Sequence, residues 1–193
     1  MMKRILLING PARSGKDTLA GLLLQHQVVR PETTGVYKFA TRLKEMTHAA
    51  HGFPSARADA FEQVKDDLTW GPRRGITWRQ AYIKMSEAYM KPLFGQDVFG
   101  QLLREQIELA EQARDHDTAL VTDSGFAPEA EVLVNRWPGA IRLVRLVREG
   151  YDFTGDSRGY IKLAGVPMLE VVAKDMTELT AAAKNPALRE FLA

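Results

Sequence analysis

The sequence contains no cysteine. Disulfide bonds, thiolate metal sites and thiol catalysis are therefore excluded, and we expect a cytoplasmic location, where the compartment is reducing. The sequence also lacks an apolar run of membrane-spanning length, so no membrane partner is expected. Residues 1–8 have a basic start but only a short apolar run, which does not match a signal peptide.

An excess of charge of one sign is also lacking. The 26 lysines and arginines nearly balance the 24 aspartates and glutamates, which leaves a formal net charge of +2. The two signs are interspersed, so no nucleic-acid partner is required. The four histidines show no metal-ligand or catalytic-triad spacing. A chain of 193 residues can bury a full core, so residues 1–193 are predicted to form a single domain, and a homodimer stays open.

A phosphate-binding loop stands near the start of the chain. Residues 5–9 form a short apolar run, which is followed by a glycine-bounded loop and then by a helical pattern. In this context the spacing Gly-x4-Gly-Lys binds phosphate through backbone N–H groups and the helix N-terminus. Lys16 adds a charge that can follow the transferred phosphoryl group, and we expect it to be catalytic. The residues predicted to bind ATP are Gly10, Ala12, Arg13, Ser14, Gly15, Lys16, Asp17 and Thr18.

The metal site is predicted from the residues after Lys16, which are Asp17 and Thr18. Many P-loop proteins carry a metal-binding Ser or Thr directly after the lysine. Gly-Lys-x-Thr instead resembles the nucleoside monophosphate kinases, in which waters hold much of the metal. This resemblance implies that Thr18 contacts a phosphate and that Mg²⁺ lies near Thr18 and Asp123, held mainly through waters.

Strand and helix patterns alternate along the rest of the chain. This alternation predicts a three-layer α/β/α fold with a mostly parallel sheet, as in P-loop NTPases. Residues 58–68 are expected to be helical and residues 160–163 to form the last strand. A C-terminal helix is predicted from the spacing of Leu169, Val172, Met176 and Leu179.

Three further residues are predicted to be catalytic. Asp123 ends a buried strand that should lie beside the P-loop strand, where open α/β sheets bind ligands. We expect it to order magnesium waters or to accept a hydrogen bond from the attacking group, and the alternative is a structural cap on the helix that follows. Arg148 and Arg158 flank a polar segment and are expected to close over the donor phosphates, with solvated side chains as the alternative.

A cationic site for the acceptor is predicted in the first half of the chain. Thr77 and Gln80 form a capping box, so free N–H groups of the helix and the guanidinium of Arg79 can meet one monophosphate. A surface ion pair is the alternative for Arg79. Arg42 and Lys44 are expected to face the same ligand. The aromatic residues that can either stack on a base or belong to the core are Trp78, Tyr82 and Phe126.

Five segments, taken in order, resemble the phage-type deoxynucleoside monophosphate kinases of the P-loop nucleotide kinase superfamily. The segments are Gly10-x-x-Arg13-Ser14-Gly15-Lys16-Asp17-Thr18, Phe39-Ala40-x-x-Leu43-Lys44-Glu45, Phe61-x-x-x-Lys65, Thr77-x-Arg79 followed by Glu87 and Phe94-Gly95-x-Asp97-x-Phe99, and Thr122-Asp123-Ser124-Gly125-Phe126-x-x-Glu129-Ala130. The resemblance implies an acceptor-binding helical insert at about residues 41–97, with Glu87 and Asp97 on the substrate side, and a lid-like segment at about residues 148–158. The family usually has an arginine where Gly125 stands, and its histidine-containing lid motif is absent.

The motif and the resemblance together predict an enzyme. It would transfer the γ-phosphoryl group of ATP, with Mg²⁺, to a deoxynucleoside monophosphate and so give the diphosphate. Two alternatives remain, which are another small-metabolite P-loop kinase, such as a dephospho-coenzyme A kinase, and a nucleotide-binding protein without transferase activity. The fold alone does not separate them, because function lies in the acceptor site.

Overall fold

The chain folds as a five-stranded sheet between two helical layers, in a computed structural model that describes residues 2–192. The strands are β1 (Arg4–Asn9), β2 (Thr34–Tyr37), β3 (Thr118–Ser124), β4 (Ile141–Arg148) and β5 (Met168–Ala173). The α-helices are α1 (Lys16–Gln25), α2 (Ala40–Ala50), α3 (Trp78–Lys84), α4 (Lys91–Phe94), α5 (Val98–Ala113), α6 (Ala127–Arg136), α7 (Met176–Ala183) and α8 (Pro186–Leu192). No helix within residues 2–192 is long and apolar enough to cross a membrane.

All neighbouring strands of the sheet are parallel, in the order β2-β3-β1-β4-β5. The central strand β1 pairs with β3 through Leu6 opposite Leu120, and with β4 through Leu6 opposite Arg142. The carboxyl ends of the strands therefore meet at one edge, which is where ligands bind in such sheets. The predicted three-layer α/β/α fold is confirmed, and the strand that carries Asp123 lies beside the P-loop strand as expected.

Alternating side chains of β1 supply the cores on both faces of the sheet. Ile5 and Leu7 belong to the core under α5 and α6, and Leu6 and Ile8 belong to the core under α1, α7 and α8. All four side chains are fully buried. A strand that is buried on both faces has an almost continuous apolar sequence, which explains the short apolar run before the loop.

The chain between β2 and β3 forms a helical insert with its own aromatic core. A six-residue π-helical segment, Met85–Met90, joins α3 to α4. Inside the insert, Phe61 stacks on Trp78 with ring centroids 4.1 Å apart, and the Tyr82 hydroxyl lies 2.7 Å from Nε2 of His48. Trp78 is 1 % exposed. Trp78 and Tyr82 therefore belong to the core of the insert, and the alternative in which they stack on a base is wrong.

Two segments differ from the sequence-based expectations. Residues 160–163 are not a strand, and the last strand is β5, which begins in the stretch that was expected to be helical. Along β5 burial alternates, because Val171 and Ala173 face the core while Val172 is 61 % exposed, so the period of two decides the structure. Residues 58–68 contain only a short 3₁₀ turn, Glu62–Val64, because Phe61 packs into the aromatic core instead of continuing a helix.

The closest approach between α5 and α6 depends on Gly100. A Cβ atom on Gly100 would stand 2.4 Å from the backbone oxygen of Glu129 and 2.9 Å from its Cα, so the helices would have to separate. We expect Gly100→Ala to lower the free energy of unfolding by about 1–3 kcal/mol, the usual cost of overpacking. The measurement is urea denaturation followed by circular dichroism.

Gly21 provides the matched control for this substitution. It lies on the exposed side of α1, and nothing stands within 4 Å of the position that a Cβ would take. Gly21→Ala should therefore stabilise the protein by up to about 1 kcal/mol, through helix propensity alone. A stabilising effect of Gly100→Ala, similar to that of Gly21→Ala, would show that α5 and α6 do not approach as described.

Candidate active site

The loop between β1 and α1 has the geometry that phosphate binding requires. Gly15 is the N-cap of α1 with φ of 100°, and Arg13 also has a positive φ, of 61°. A Cβ atom on Gly10 would stand 2.8 Å from the backbone oxygen of Leu146 on β4. Glycine at positions 10 and 15 therefore satisfies a close approach and a left-handed conformation. The predicted order of strand, loop and helix is present.

Lys16 lies inside this loop and is almost completely buried. Its Nζ donates hydrogen bonds to the carbonyl oxygens of Gly10, at 2.8 Å, and Pro11, at 2.5 Å. The pKa of Lys16 is lowered to about 8, first by burial and then by the nearby charge of Arg158, and carboxylates that include Asp17 oppose this shift. A bound anion would therefore strongly stabilise the charged form of Lys16.

Arg158 reaches the P-loop from the lid-like segment and lies over Gly125. A Cβ atom on Gly125 would stand 2.5 Å from Cδ and 2.7 Å from Cγ of Arg158, so only glycine leaves room for this side chain. The guanidinium donates to Asp156, with 2.9 Å between Nε and Oδ1, and this hydrogen bond raises the pKa of Arg158. An arginine side chain therefore occupies the space beside position 125, where the family that the sequence resembles usually has its own arginine.

Arg148 lies on the other side of the P-loop, as the last residue of β4. Its Nη1 lies 3.5 Å from the carbonyl oxygen of Ser14, and its Nε donates to the carbonyl oxygen of Lys174 at 3.2 Å. The structure thus brings Lys16, Arg148 and Arg158 to the same loop. Their predicted catalytic roles stay predictions.

Asp123 binds the backbone at the start of α2. Its Oδ1 accepts from the N–H of Phe39 at 2.8 Å, and its Oδ2 accepts from the N–H of Ala40 at 3.0 Å. Burial raises the pKa of Asp123, and these two hydrogen bonds oppose the rise. Asp123 therefore has a capping role, but toward α2 and not toward the helix that follows it in sequence. A further role toward magnesium waters stays a prediction.

Asp17, the first residue after the P-loop lysine, contacts side chains from two other segments of the chain. Its Oδ1 accepts a hydrogen bond from the Thr122 hydroxyl at 2.6 Å and forms an ion pair with Nζ of Lys38 at 2.8 Å. Lys38 directly follows β2, and Thr122 belongs to β3. The carboxylate of Asp17 thus links α1 to the carboxyl edge of the sheet.

The guanidinium of Arg79 forms an ion pair with the carboxylate of Asp66. It contacts Asp66 through two atoms, with 2.9 Å between Nη2 and Oδ2. The capping box of Thr77 and Gln80 is present, but the N–H of Arg79 donates to the carbonyl oxygen of Lys65 and that of Gln80 to the Thr77 hydroxyl. Two N–H groups of this first turn are thus engaged within the protein, and the role of Arg79 toward an acceptor phosphate stays a prediction. Asp66 also lies 3.9 Å from Nη2 of Arg13, so it connects the insert to the P-loop.

The other residues predicted for the acceptor do not all meet. Lys44 pairs with Glu62 at 2.6 Å, whereas Arg42 pairs with Glu45 at 2.9 Å on the exposed side of α2. Lys44 lines a cleft of about 380 Å³ between β2, α2 and the 57–62 loop, and Lys38 lines it as well. The cleft therefore adjoins the P-loop through the Lys38–Asp17 pair. Its lining residues are Val36, Lys38, Ala40, Thr41, Lys44, Glu45, Arg57, Ala58, Asp59 and Glu62.

Glu87 and Asp97 make local contacts. Glu87 pairs with Lys91 at 2.7 Å, and Asp97 accepts a hydrogen bond from the side chain of Gln101 at 3.0 Å. The ammonium of Lys91 also lies 4.2 Å from the centre of the Phe126 ring, in a cation–π contact. The face of Phe126 is thus engaged with a lysine, and the roles of Glu87 and Asp97 toward a substrate stay predictions.

Sequence reasoning missed several polar residues of the site. Lys38 and Asp66 have been described above. Asn9, at the end of β1, donates to the carbonyl oxygen of Gly159 at 3.0 Å and accepts from the N–H of Ile161 at 3.0 Å, so it anchors the end of the lid-like segment. Glu129 is 4 % exposed, and burial, followed by the charge of Asp123, raises its pKa to about 8. The sequence signal for Asn9 was its position at the end of the first strand. The signal for Glu129 was its position in the first turn of the helix that follows β3.

Magnesium fits the oxygen donors around the P-loop. No cluster of three or more His, Asp or Glu residues that could hold a metal by itself occurs in residues 2–192. A nucleotide-bound Mg²⁺ needs only one or two carboxylates in addition to phosphates and waters. Asp17 and Thr18 lie at the start of α1, directly after the loop, and Thr18 is exposed. The donor set therefore suits a metal that arrives with a nucleotide.

Comparison with known proteins supports the fold. No protein-family model and no curated protein matches the sequence. The crystal structure of TT1252 from Thermus thermophilus is similar over 98 % of this chain and 98 % of that chain, with a TM-score of 0.51 and 13 % sequence identity. A gluconokinase from Sinorhizobium meliloti 1021 is similar over 94 % of this chain and 90 % of that chain, with a TM-score of 0.43 and 12 % identity. At 13 % identity the first likeness concerns the fold alone, and the lower TM-score of the second carries no further weight.

The loop geometry and the strand order agree with the predicted three-layer fold around a P-loop. The strand order β2-β3-β1-β4-β5 places the loop after the central strand, and Nη1 of Arg148 lies 3.5 Å from the carbonyl oxygen of Ser14 in this loop. These features suit the binding of phosphate groups. They do not identify an activity or a substrate.

Nucleotide affinity should depend on pH through Lys16. Because the pKa of Lys16 is about 8, the lysine is charged below that pH and loses its proton above it, whereas a bound phosphate favours the charged form. We expect the dissociation constant of ADP to rise by up to about tenfold per pH unit above pH 8. Isothermal titration calorimetry between pH 7 and about 9.5 measures this dependence.

Lys16→Arg is the control for the pH dependence. The guanidinium stays charged throughout this range, so the slope above pH 8 should disappear whatever the affinity at neutral pH. An equal slope in the wild-type protein and in Lys16→Arg would assign the titration to another group, such as Glu129.

Proposed function

We propose that the protein transfers the γ-phosphoryl group of ATP to a deoxynucleoside monophosphate and gives the diphosphate. The observation that carries the proposal is the convergence of three cations from three segments at the P-loop. Lys16 lies in the loop, Nη1 of Arg148 at the end of β4 lies 3.5 Å from the carbonyl oxygen of Ser14, and Arg79 of the insert holds Asp66, which lies 3.9 Å from Nη2 of Arg13. Phosphoryl transfer depends mainly on positioning two phosphates and neutralising their charge, so such a convergence suits it.

The donor side of the proposed site is the loop with Lys16 and Arg148. The loop amides and Lys16 hold the β- and γ-phosphates, and Arg148 approaches from the side of Ser14. Thr18 and Asp123 would hold Mg²⁺ mainly through waters, and the metal would supply positive charge that offsets the charge of the phosphates. Arg158 stabilises the negative charge of the phosphoryl group as it leaves the donor.

The acceptor side of the proposed site is Arg79, in the insert at about residues 41–97. Its guanidinium already holds the carboxylate of Asp66 through two atoms, which is the geometry of a bidentate phosphate contact. A phosphate monoester can take the place of Asp66 and then stands on the P-loop side of the insert, since Asp66 also approaches Arg13. Residues 1–193 act as one kinase domain in this proposal, with residues 148–158 as the lid-like segment.

An activity screen tests the proposed function. The purified protein is incubated with ATP, Mg²⁺ and each deoxynucleoside monophosphate, each ribonucleoside monophosphate, gluconate or dephospho-coenzyme A, and ADP formation is measured. We expect ADP only with one or more nucleoside monophosphates, and no ADP with Lys16→Ala. ADP formation with dephospho-coenzyme A or gluconate alone would assign another small-metabolite kinase, and nucleotide binding without any transfer would contradict the proposal.

Substitution of Arg79 should affect the acceptor and not the donor. Arg79→Ala removes the guanidinium, so the Michaelis constant for the monophosphate should rise by about tenfold, or roughly 1.4 kcal/mol, with the constant for ATP little changed. Arg136→Ala is the matched control, because Arg136 is also a half-exposed arginine paired with a carboxylate, Glu108, but lies between α5 and α6. A raised constant for ATP together with an unchanged constant for the monophosphate would place Arg79 on the donor side.

A further inference from the structure

The carboxylate of Asp17 stands where a bound nucleotide would place negative charge. Asp17 is in the first turn of α1, the helix whose N-terminus follows the phosphate-binding loop. A carboxylate beside bound phosphates is repelled by them unless a cation lies between. The protein therefore needs a positive charge at Asp17 whenever the loop holds a nucleotide.

The ammonium group of Lys38 already forms an ion pair with this carboxylate. Nζ of Lys38 lies 2.8 Å from Oδ1 of Asp17, and the Thr122 hydroxyl holds the same oxygen at 2.6 Å. Both of these contacts are made to Oδ1, and no hydrogen bond to the second oxygen, Oδ2, occurs within residues 2–192. Both side chains are open to solvent, at 40 % for Lys38 and 67 % for Asp17, so a metal ion can reach the pair.

The charge of Lys16 acts on Asp17, but the hydrogen bonds of Lys16 go elsewhere. Its ammonium group donates to the carbonyl oxygens of Gly10 and Pro11 within the loop. Lys38 comes from the end of β2, and its charge also acts on Asp123, whose own oxygens bind backbone N–H groups. Asp17 is therefore the carboxylate of this edge that has an oxygen available for a direct metal contact.

We propose that Asp17 is a direct ligand of the nucleotide-bound Mg²⁺ and that Lys38 is an internal cation that competes with the metal for Asp17. Mg²⁺ prefers carboxylate and phosphate oxygens together, and its double charge outweighs a lysine whose ordering costs conformational entropy. When the metal binds, the ammonium group of Lys38 leaves Asp17. The inference deepens the proposed function but needs only nucleotide and metal binding.

The test measures how strongly Mg²⁺ improves the binding of ADP. The quantity is the ratio of the ADP dissociation constant without metal to that with saturating Mg²⁺, measured by calorimetry in the absence of any acceptor. Asp17→Asn removes the ligand charge and its repulsion of phosphate, so the ratio should fall by about tenfold. Lys38→Gln removes the competing cation, so the ratio should rise severalfold. The two substitutions thus shift the ratio in opposite directions.

Lys3→Gln is the matched control. Lys3 forms a similar ion pair with Asp117, at 2.7 Å, but at the amino end of the strands and far from the loop, so the ratio should not change. An unchanged ratio in Asp17→Asn would show that Asp17 is not a ligand, and a fall in Lys38→Gln would show that Lys38 does not compete. Either result overturns the inference and leaves the kinase proposal in place. Opposite shifts without turnover on any acceptor would support the inference and contradict the kinase proposal.

Discussion

The carboxylate of Asp123 connects the two halves of the candidate site. It lies at the carboxyl end of β3, next to the P-loop strand, and binds the backbone N–H groups of Phe39 and Ala40 at the start of α2. A buried carboxylate is costly without such partners, so its burial fixes the start of the insert at this edge of the sheet. The insert returns to the loop through Asp66, which approaches both Arg13 and Arg79. The position of any acceptor therefore depends on a contact outside the P-loop.

Three cations of the edge have an aspartate partner, and this pairing explains how a basic site exists in a chain of low net charge. The pairs are Lys38 with Asp17, Arg79 with Asp66 and Arg158 with Asp156. Surface ion pairs of this kind contribute little to stability, so a phosphate can replace the carboxylate at small cost. A ligand with one phosphate can replace one of these carboxylates, whereas a nucleotide and a second phosphate together can replace several. The arrangement thus favours ligands that carry more than one phosphate at a defined spacing.

The sequence contained enough information for the features that depend on neighbouring residues. The loop between β1 and α1 follows from its glycines, and the capping box of Thr77 and Gln80 follows from their spacing. The pairs between distant segments were not predictable, because nothing local in Lys38 or Asp66 indicates which residue lies opposite. The strand β5 was missed for a related reason, since Leu169, Val172, Met176 and Leu179 fit a helical spacing until the sheet decides which side chains are buried. The sequence left two roles open for Trp78 and Tyr82, a contact to a base or a place in the core, and their burial in the insert decides for the core.

The arginines at the two ends of the lid-like segment show why position in space matters more than position in a motif. Gly125 lacks the side chain that the resembled family usually has there, but the stem of Arg158 lies across it, so a guanidinium reaches the same region from another segment. Arg158 is also close to a fixed point, because Asn9 holds the carbonyl oxygen of Gly159 and the N–H of Ile161. Arg148 is the last residue of β4 and is fixed by the sheet. Both arginines therefore stand beside anchored residues at the ends of the segment, one in the sheet and one next to the contacts of Asn9.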